Sequence, residues 1–277
     1  KFGILGLAYG VILGALLHLL IQLPSLYHIG FTPLKNINFK DAGLRKVFKL
    51  WLPRTIGLAA LQINGIIVTS IASFLAAGSI AVFNFADNLR WVPIGIFGVA
   101  FSTAAFPAMS LAYARGQNDL FLKRFSLAVR QTLFIVIPLS LLFFVFRAHI
   151  VRIILGTGHF GWDATRLTAA VLGIFSFGIF ASALLPIFTR VFFIFHNTKT
   201  PVFINVVSAA INIFLSFLFV SIFIKFPVLS RILAEFLKVG DMNEAAILGL
   251  PLAFTISSMI SISLYWFVLK NHVGDFG

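Results

Sequence analysis

Residues Ile80 to Ala112 read IAVFNFADNLRWVPIGIFGVAFSTAAFPAMSLA, an apolar run broken by one acid and one base, Asp87 and Arg90. An apolar stretch of about 18 or more residues can cross a bilayer as a helix. An ionisable side chain within it costs roughly 2.5–3.5 kcal/mol on insertion-derived scales, so it faces a bundle interior or a wet pathway instead of lipid. Asn84, Asp87, Asn88 and Trp91 share one face at i, i+3, i+4 and i+7. Asp87 lies about 10 Å below the outer surface by helical rise. Arg90 is close enough along the helix to pair with it. Pro93 removes a backbone hydrogen bond and favours a kink, with Gly95 and Gly98 just beyond. The first expectation is a charged face on a polar transport cavity; the second is an ion pair that locks two helices.

The rest of the chain agrees with a membrane setting. It is 60% hydrophobic and only 10% charged, with 34 Phe, against about 25% charged in a soluble domain. Further charge-poor windows place spans at Phe2–Leu23, Thr55–Leu75, Phe125–Phe146, Leu167–Thr189, Pro201–Ile224 and Ala245–Leu269. The expected class is all-α: a polytopic transmembrane helix bundle of about seven spans. The expected division is a single helix at 1–24, a loop with a basic interfacial helix at 25–54, a six-helix lobe at 55–270 and a polar tail at 271–277. The first run is too long for a signal-peptide core and has no small-residue cleavage site. A start at Lys1 immediately before a span, and the polar end, suggest a piece of a longer protein.

Basic residues set the orientation. If the linkers alternate sides, one side collects Lys35, Lys40, Arg45, Lys46, Lys49, Arg54, Arg115, Lys123, Arg124, Arg130, Arg190, Lys199 and Lys270. The other collects Lys1, Arg147, Arg152, Arg166, Lys225, Arg231 and Lys238, and with Arg90 these make all 21. The richer side is expected to be cytoplasmic. Trp51, Trp162 and Trp266 fall at span ends, as interfacial aromatics do. The net charge of +13 is thus assigned to topology and to anionic lipid headgroups as partners, not to nucleic acid. Two amphipathic segments are read as interfacial helices that orient the next span. Leu44, Val47, Phe48 and Trp51 oppose Arg45, Lys46 and Lys49, and Leu229, Ile232, Leu233 and Phe236 precede Gly240.

Two more spans carry polar stripes: Gln62, Thr69 and Ser73 with Asn64 off the line, and Asn205, Ser208, Asn212 and Ser216. Hydrogen bonding between helices is the first reading for these stripes and cavity lining the second. Gly6, Gly10 and Gly14 form a ridge for close helix packing. Thr200 is the expected N-cap before Pro201 at the first helical position, and Asp163 the expected N-cap of the Leu167–Thr189 span. There is no Cys, and the six His sit at no metal-ligand spacing. No catalytic set is visible, and no metal or cofactor is expected.

Four punctuated segments carry a resemblance. LPRTIGLAALQINGIIVTSIASFLAAGSIAVFNFADNLRWVPIGIFGVAFSTAAFPAMS from Leu52, ARGQNDLFLKR from Ala114, GHFGWDATRLTA from Gly158 and RVFFIFHNTKTP from Arg190 resemble the MurJ (MviN) lipid II flippases in order and spacing. The resemblance implies a transporter of the multidrug/oligosaccharidyl-lipid/polysaccharide exporter superfamily in the bacterial cytoplasmic membrane. Such proteins have two six-helix lobes around a cationic cavity and flip the undecaprenyl-pyrophosphate-linked peptidoglycan precursor by alternating access. This chain would then hold the last helix of the first lobe and all of the second, with the N-terminal lobe as its missing partner. The implied substrate-facing residues are Asp87, Asn88, Arg90, Asn84, Gln62, Asn64, Asn205 and Asn212.

The chain departs from the family pattern twice. ADRL, with arginine directly after aspartate, is replaced by Ala86-Asp87-Asn88-Leu89-Arg90. The cation has moved about 200° around the helix. DTKTP has Asn197 in place of the acid, which weakens any cation site on that carboxylate. The alternatives are an exporter of another polyprenyl-linked glycan in the same superfamily, a non-transporting membrane scaffold and, more weakly, a membrane enzyme.

Overall fold

The computed structural model describes residues 3–30, 42–156, 160–240 and 245–273. Among these, regular structure is entirely helical: α1 (Gly3–His28), α2 (Ala42–Ser73), α3 (Ser79–Pro93), a π turn (Ile94–Val99), α4 (Ala100–Ala114), α5 (Asn118–Val145), α6 (Arg147–Leu155), α7 (Trp162–Ile194), α8 (Lys199–Lys225), α9 (Pro227–Phe236), a 3-10 turn (Ala245–Leu248) and α10 (Gly249–Val273). Six stretches are long and apolar enough to cross a membrane, and Ala59–Ser73 of α2 is a shorter apolar helix. Every expected span is therefore helical.

The chain divides into two units, Lys1–Lys49 and Leu50–Gly277. In the first, α1 is a 26-residue apolar helix. Helical backbone also begins at Ala42, so the segment from Leu44 to Trp51 is helical as expected. The side chains of Arg45, Lys46 and Lys49 lie outside the described ones.

The second unit is built around α7. Of its most apolar window 78% is buried, against 22% for α5 and for the α3–α4 run. A helix that is apolar all round belongs at the centre of a bundle. Two hydrophobic cores stack along it. One joins Val68 and Ile71 of α2, Val82 and Ala86 of α3, Val151 of α6, Leu167 to Phe175 of α7, and Phe223, Ala234 and Leu248. The other joins Met109, Phe121, Phe125, Ile187, Phe192, Ile204, Tyr265 and Leu269. Residues from helix ends assigned to one side meet in the first core, and those from the other side in the second. That is the contact pattern alternating topology requires. A thin middle layer of Ile94, Val136, Ile179 and Ala183 lies between.

Close approach is arranged by small residues, as is usual where lipid offers no hydrophobic drive. The kink expected after Pro93 is the π turn, and its Gly98 lies so near α7 that an added Cβ would sit 2.5 Å from the Ala183 carbonyl oxygen. Gly178 of α7 meets Thr255 and Ser258 of α10, and the Thr255 hydroxyl donates to the Ile174 carbonyl at 3.2 Å.

Several local expectations are corrected. The helix around Pro201 starts at Lys199 after an N-cap at Thr198, which makes Pro201 its third residue. Capping instead falls to Asn197, whose Oδ1 accepts the Thr200 N–H at 3.1 Å and whose Nδ2 donates to Thr200 Oγ1 at 2.9 Å. The N-cap of α7 is Gly161, with Asp163 in the first turn, where a negative charge favours the helix dipole without capping it. The helix α6 was not anticipated. Its Arg147 donates to the Phe144 carbonyl at 2.8 Å, and partial burial pushes this guanidinium below the usual arginine value. On α9 the small Ser230 and Ala234 face inward, while Leu229, Ile232 and Phe236 form an exposed apolar stripe. Of the turn at 156–163, residues 157–159 lie outside the described residues, as do 274–277 of the polar tail; helix α10 persists to Val273.

Candidate functional site

Helix α3 separates its polar residues by side. Val82, Phe83, Ala86, Leu89 and Arg90 are buried, whereas Asn84, Asn88 and Trp91 are exposed and Asp87 is half-buried between them. Arg90 Nη2 lies 2.6 Å from Asp87 Oδ1, with side-chain exposures of 4% and 28%. The Arg90 Nε–H donates to the same oxygen at 2.7 Å. Both contacts fall on Oδ1, and Oδ2 has no partner among the described residues.

The cation is enclosed from the other side. The Arg90 guanidinium carbon lies 3.8 Å from the Phe254 ring centroid and 4.8 Å from that of Phe175, with Trp91 at 5.7 Å. Cation–π contact offsets part of the desolvation of a buried arginine. Phe175 comes from α7 and Phe254 from α10, and those two rings meet edge-on at 5.7 Å. No pattern within α3 could have announced them. The shifted arginine thus lies away from the exposed side of α3 that carries Asn84 and Asn88. It turns inward.

The other predicted residues scatter. On α2, Gln62 is exposed and Asn64 half-buried, its Oδ1 without a partner among the described residues. On α8, the stripe turns toward α10. The Ser257 hydroxyl donates to the Ser208 carbonyl at 2.9 Å and that of Ser261 to Ser208 Oγ at 2.6 Å. Tyr265 accepts from Thr189 at 3.3 Å and donates to Asn205 Oδ1 at 3.5 Å, linking α7, α8 and α10. Asn212 is 3% exposed and neither amide atom has a partner among the described residues, nor does Ser216 Oγ. The structure thus sets Asn84, Asp87 and Asn88 along one side of α3 with Arg90 paired to Asp87 but turned away, bonds Asn205 to Tyr265 of α10 and buries Asn212. The residue that the sequence placed on the face without assigning it a role is Trp91. Half of it is exposed, on the same side as Asn84 and Asn88.

The family model described as "Lipid II flippase MurJ" matches residues 1–276. The chain belongs to the MurJ lipid II flippase family. It is 33% identical over 205 residues to a probable lipid II flippase MurJ of Buchnera aphidicola subsp. Schizaphis graminum, covering 74% of this chain and 40% of that protein. The probable MurJ of Buchnera aphidicola subsp. Acyrthosiphon pisum is 29% identical, covering 94% and 55%, and that of Vibrio cholerae 30%, covering 77% and 41%. The chain therefore spans about half the length of the curated relatives it matches. A solved structure of a lipid II flippase MurJ in an inward closed conformation superposes with a TM-score of 0.65 at 23% identity, covering 85% of this chain and 45% of that one; the likeness shows the shared fold. Family and apolar spans together make this a multi-pass protein of the cytoplasmic membrane.

Proposed function

We propose that this chain is the C-terminal part of a lipid II flippase: the last helix of the first lobe and the whole second lobe. The complete protein moves an undecaprenyl-pyrophosphate-linked peptidoglycan precursor across the cytoplasmic membrane by alternating access, without catalysing a reaction. The observation that carries this reading is the open polar face of α3, with Asn84 and Asn88 exposed and Asp87 half-buried beside them, in an α3–α4 run long and apolar enough to span a bilayer. Such groups facing hydrocarbon would cost several kcal/mol each, so the face belongs on a wet cavity. In the assembled transporter the second wall of that cavity is the missing lobe, and a sugar–peptide headgroup is the passenger that cannot cross hydrocarbon unaided.

In this reading Asn84, Asp87 and Asn88 touch the passenger and Arg90 holds Asp87 in place. Gln62 and Asn64 extend the polar lining from α2. Asn205 and Asn212 would join it only in a state where α8 parts from α10. The basic cytoplasmic linkers are proposed to hold anionic lipid headgroups. The test is a flipping assay on the full-length protein in liposomes with labelled precursor, alongside rescue of cells depleted of their own flippase. Transport of the precursor supports the proposal. Failure of the precursor to move, with transport of another polyprenyl-linked glycan, would shift the chain to that substrate.

A further inference from the structure

The α3 face has a chemistry of its own, and it is not that of a phosphate site. Phosphate recognition calls for accessible cationic or N–H donors. The cation of this helix, Arg90, has 4% of its side chain exposed. Its Nε and Nη2 are committed to Asp87 Oδ1, and the Phe254 and Phe175 rings cover it. What faces outward is the far oxygen of a carboxylate, which repels an anion. A cationic ligand gains little from that carboxylate, because Arg90 already balances it.

The remaining groups suit neutral hydroxyls and amides. Asn84 and Asn88 present donors and acceptors without partners among the described residues, and Asp87 Oδ2 adds a strong acceptor. One turn further along the same face lies Trp91, 50% exposed. Its position separates it from Trp51, Trp162 and Trp266, which sit at span ends where indoles favour the membrane interface. Trp91 is the thirteenth residue of its helix, about 18 Å from the outer end by helical rise. An indole held there next to three planar polar groups offers an apolar platform beside hydrogen-bonding edges. A pyranose ring has that pair of surfaces: an apolar C–H face and a rim of hydroxyl and acetamido groups.

We infer that the open face of α3 is a sugar-recognition surface, with Trp91 stacking on a pyranose of the passenger and Asn84, Asp87 and Asn88 bonding its hydroxyl and amide groups, while the pyrophosphate is held elsewhere. This rests on the flippase reading for the source of the sugar. The experiment measures affinity of the full-length protein in nanodiscs for two probes, undecaprenyl pyrophosphate and the same lipid bearing its disaccharide. Trp91→Ala and the double substitution Asn84→Ala/Asn88→Ala are expected to weaken binding of the sugar-bearing lipid by about tenfold, in the range of an exposed anchoring aromatic. Binding of the bare pyrophosphate lipid should stay unchanged. Trp91→Phe, which keeps the platform, should restore most of the affinity. Equal losses for both probes, or no loss for either, would overturn the inference while leaving the flippase reading intact. If the wild-type protein binds neither lipid, the flippase reading falls and takes this one with it.

Discussion

Helices α3 and α8 each carry two asparagines on a polar stripe inside an apolar span, and they end in opposite surroundings. The α3 stripe stays open, with Asn84 and Asn88 exposed. That of α8 is closed by α10, whose Ser257 and Ser261 bond to Ser208 and whose Tyr265 reaches Asn205. The difference lies in the neighbour, not in the stripe. Helix α10 brings a matching row of hydroxyls to α8, whereas the helices packed behind α3 bring Phe175 and Phe254 to its buried side. A polar stripe answered by a second one in the same sequence reads as packing. The α3 stripe has no such answer among the described residues, and its proposed role as a passenger surface rests on that.

The comparison can be broken most directly at Asp87. Asp87→Ala leaves Arg90 buried without its counter-charge, at a cost of about 3–5 kcal/mol. Rescue of flippase-depleted cells should be lost, and thermal unfolding in detergent should show a marked drop in stability. Asp87→Asn keeps an acceptor for Arg90 and should recover part of that stability. Rescue at the wild-type level by Asp87→Ala would remove α3 from the passenger's path.

A bulky apolar residue sharpens the contrast. Ser208→Leu must be forced into the α8–α10 contact and should destabilise by about 1–3 kcal/mol. Asn84→Leu meets open space, so its stability should stay within about 0.5 kcal/mol of the parent, while flipping in liposomes falls. If the two variants behave alike in both assays, the open and closed stripes are not distinct.

Smaller effects come next. Asn88→Arg places an accessible cation beside Asp87 and should tighten binding of bare undecaprenyl pyrophosphate by up to about tenfold, as a charge-assisted contact would. Asn212→Leu removes two buried amide atoms that lack partners among the described residues and should be neutral or stabilising by about 1 kcal/mol; a large loss would reveal a partner for that amide. Ser208→Ala should cost only about 0.6 kcal/mol, the average for a hydrogen bond between membrane helices.

Much of this fold was legible because bilayer thickness imposes length and apolarity on each span independently. The Pro93–Gly98 segment announced an irregularity, and Gly98 shows why it is tolerated: the absent side chain is what lets the π turn touch the Ala183 backbone. Helix ends were less legible. Asn197 captures the Thr200 N–H from outside the helix, and a run of Asn-Thr-Lys-Thr offers several side chains able to do so. The short α6 is not legible in the sequence, because Arg147 and Arg152 give it the look of a linker. Within the site, the Asp87–Arg90 pairing follows from spacing along one helix. The direction Arg90 turns does not, since α7 and α10 supply the rings that draw it inward.

That inward turn has an electrical consequence. Asp87 and Arg90 move as a unit whose charges cancel, so a tilt of α3 that keeps them joined carries no net charge through the membrane field. A potential of 100 mV does about 2.3 kcal/mol of work on each unbalanced charge that crosses it. On this helix the voltage finds nothing to pull, so any coupling of the protein to the membrane potential has to come from charges borne elsewhere.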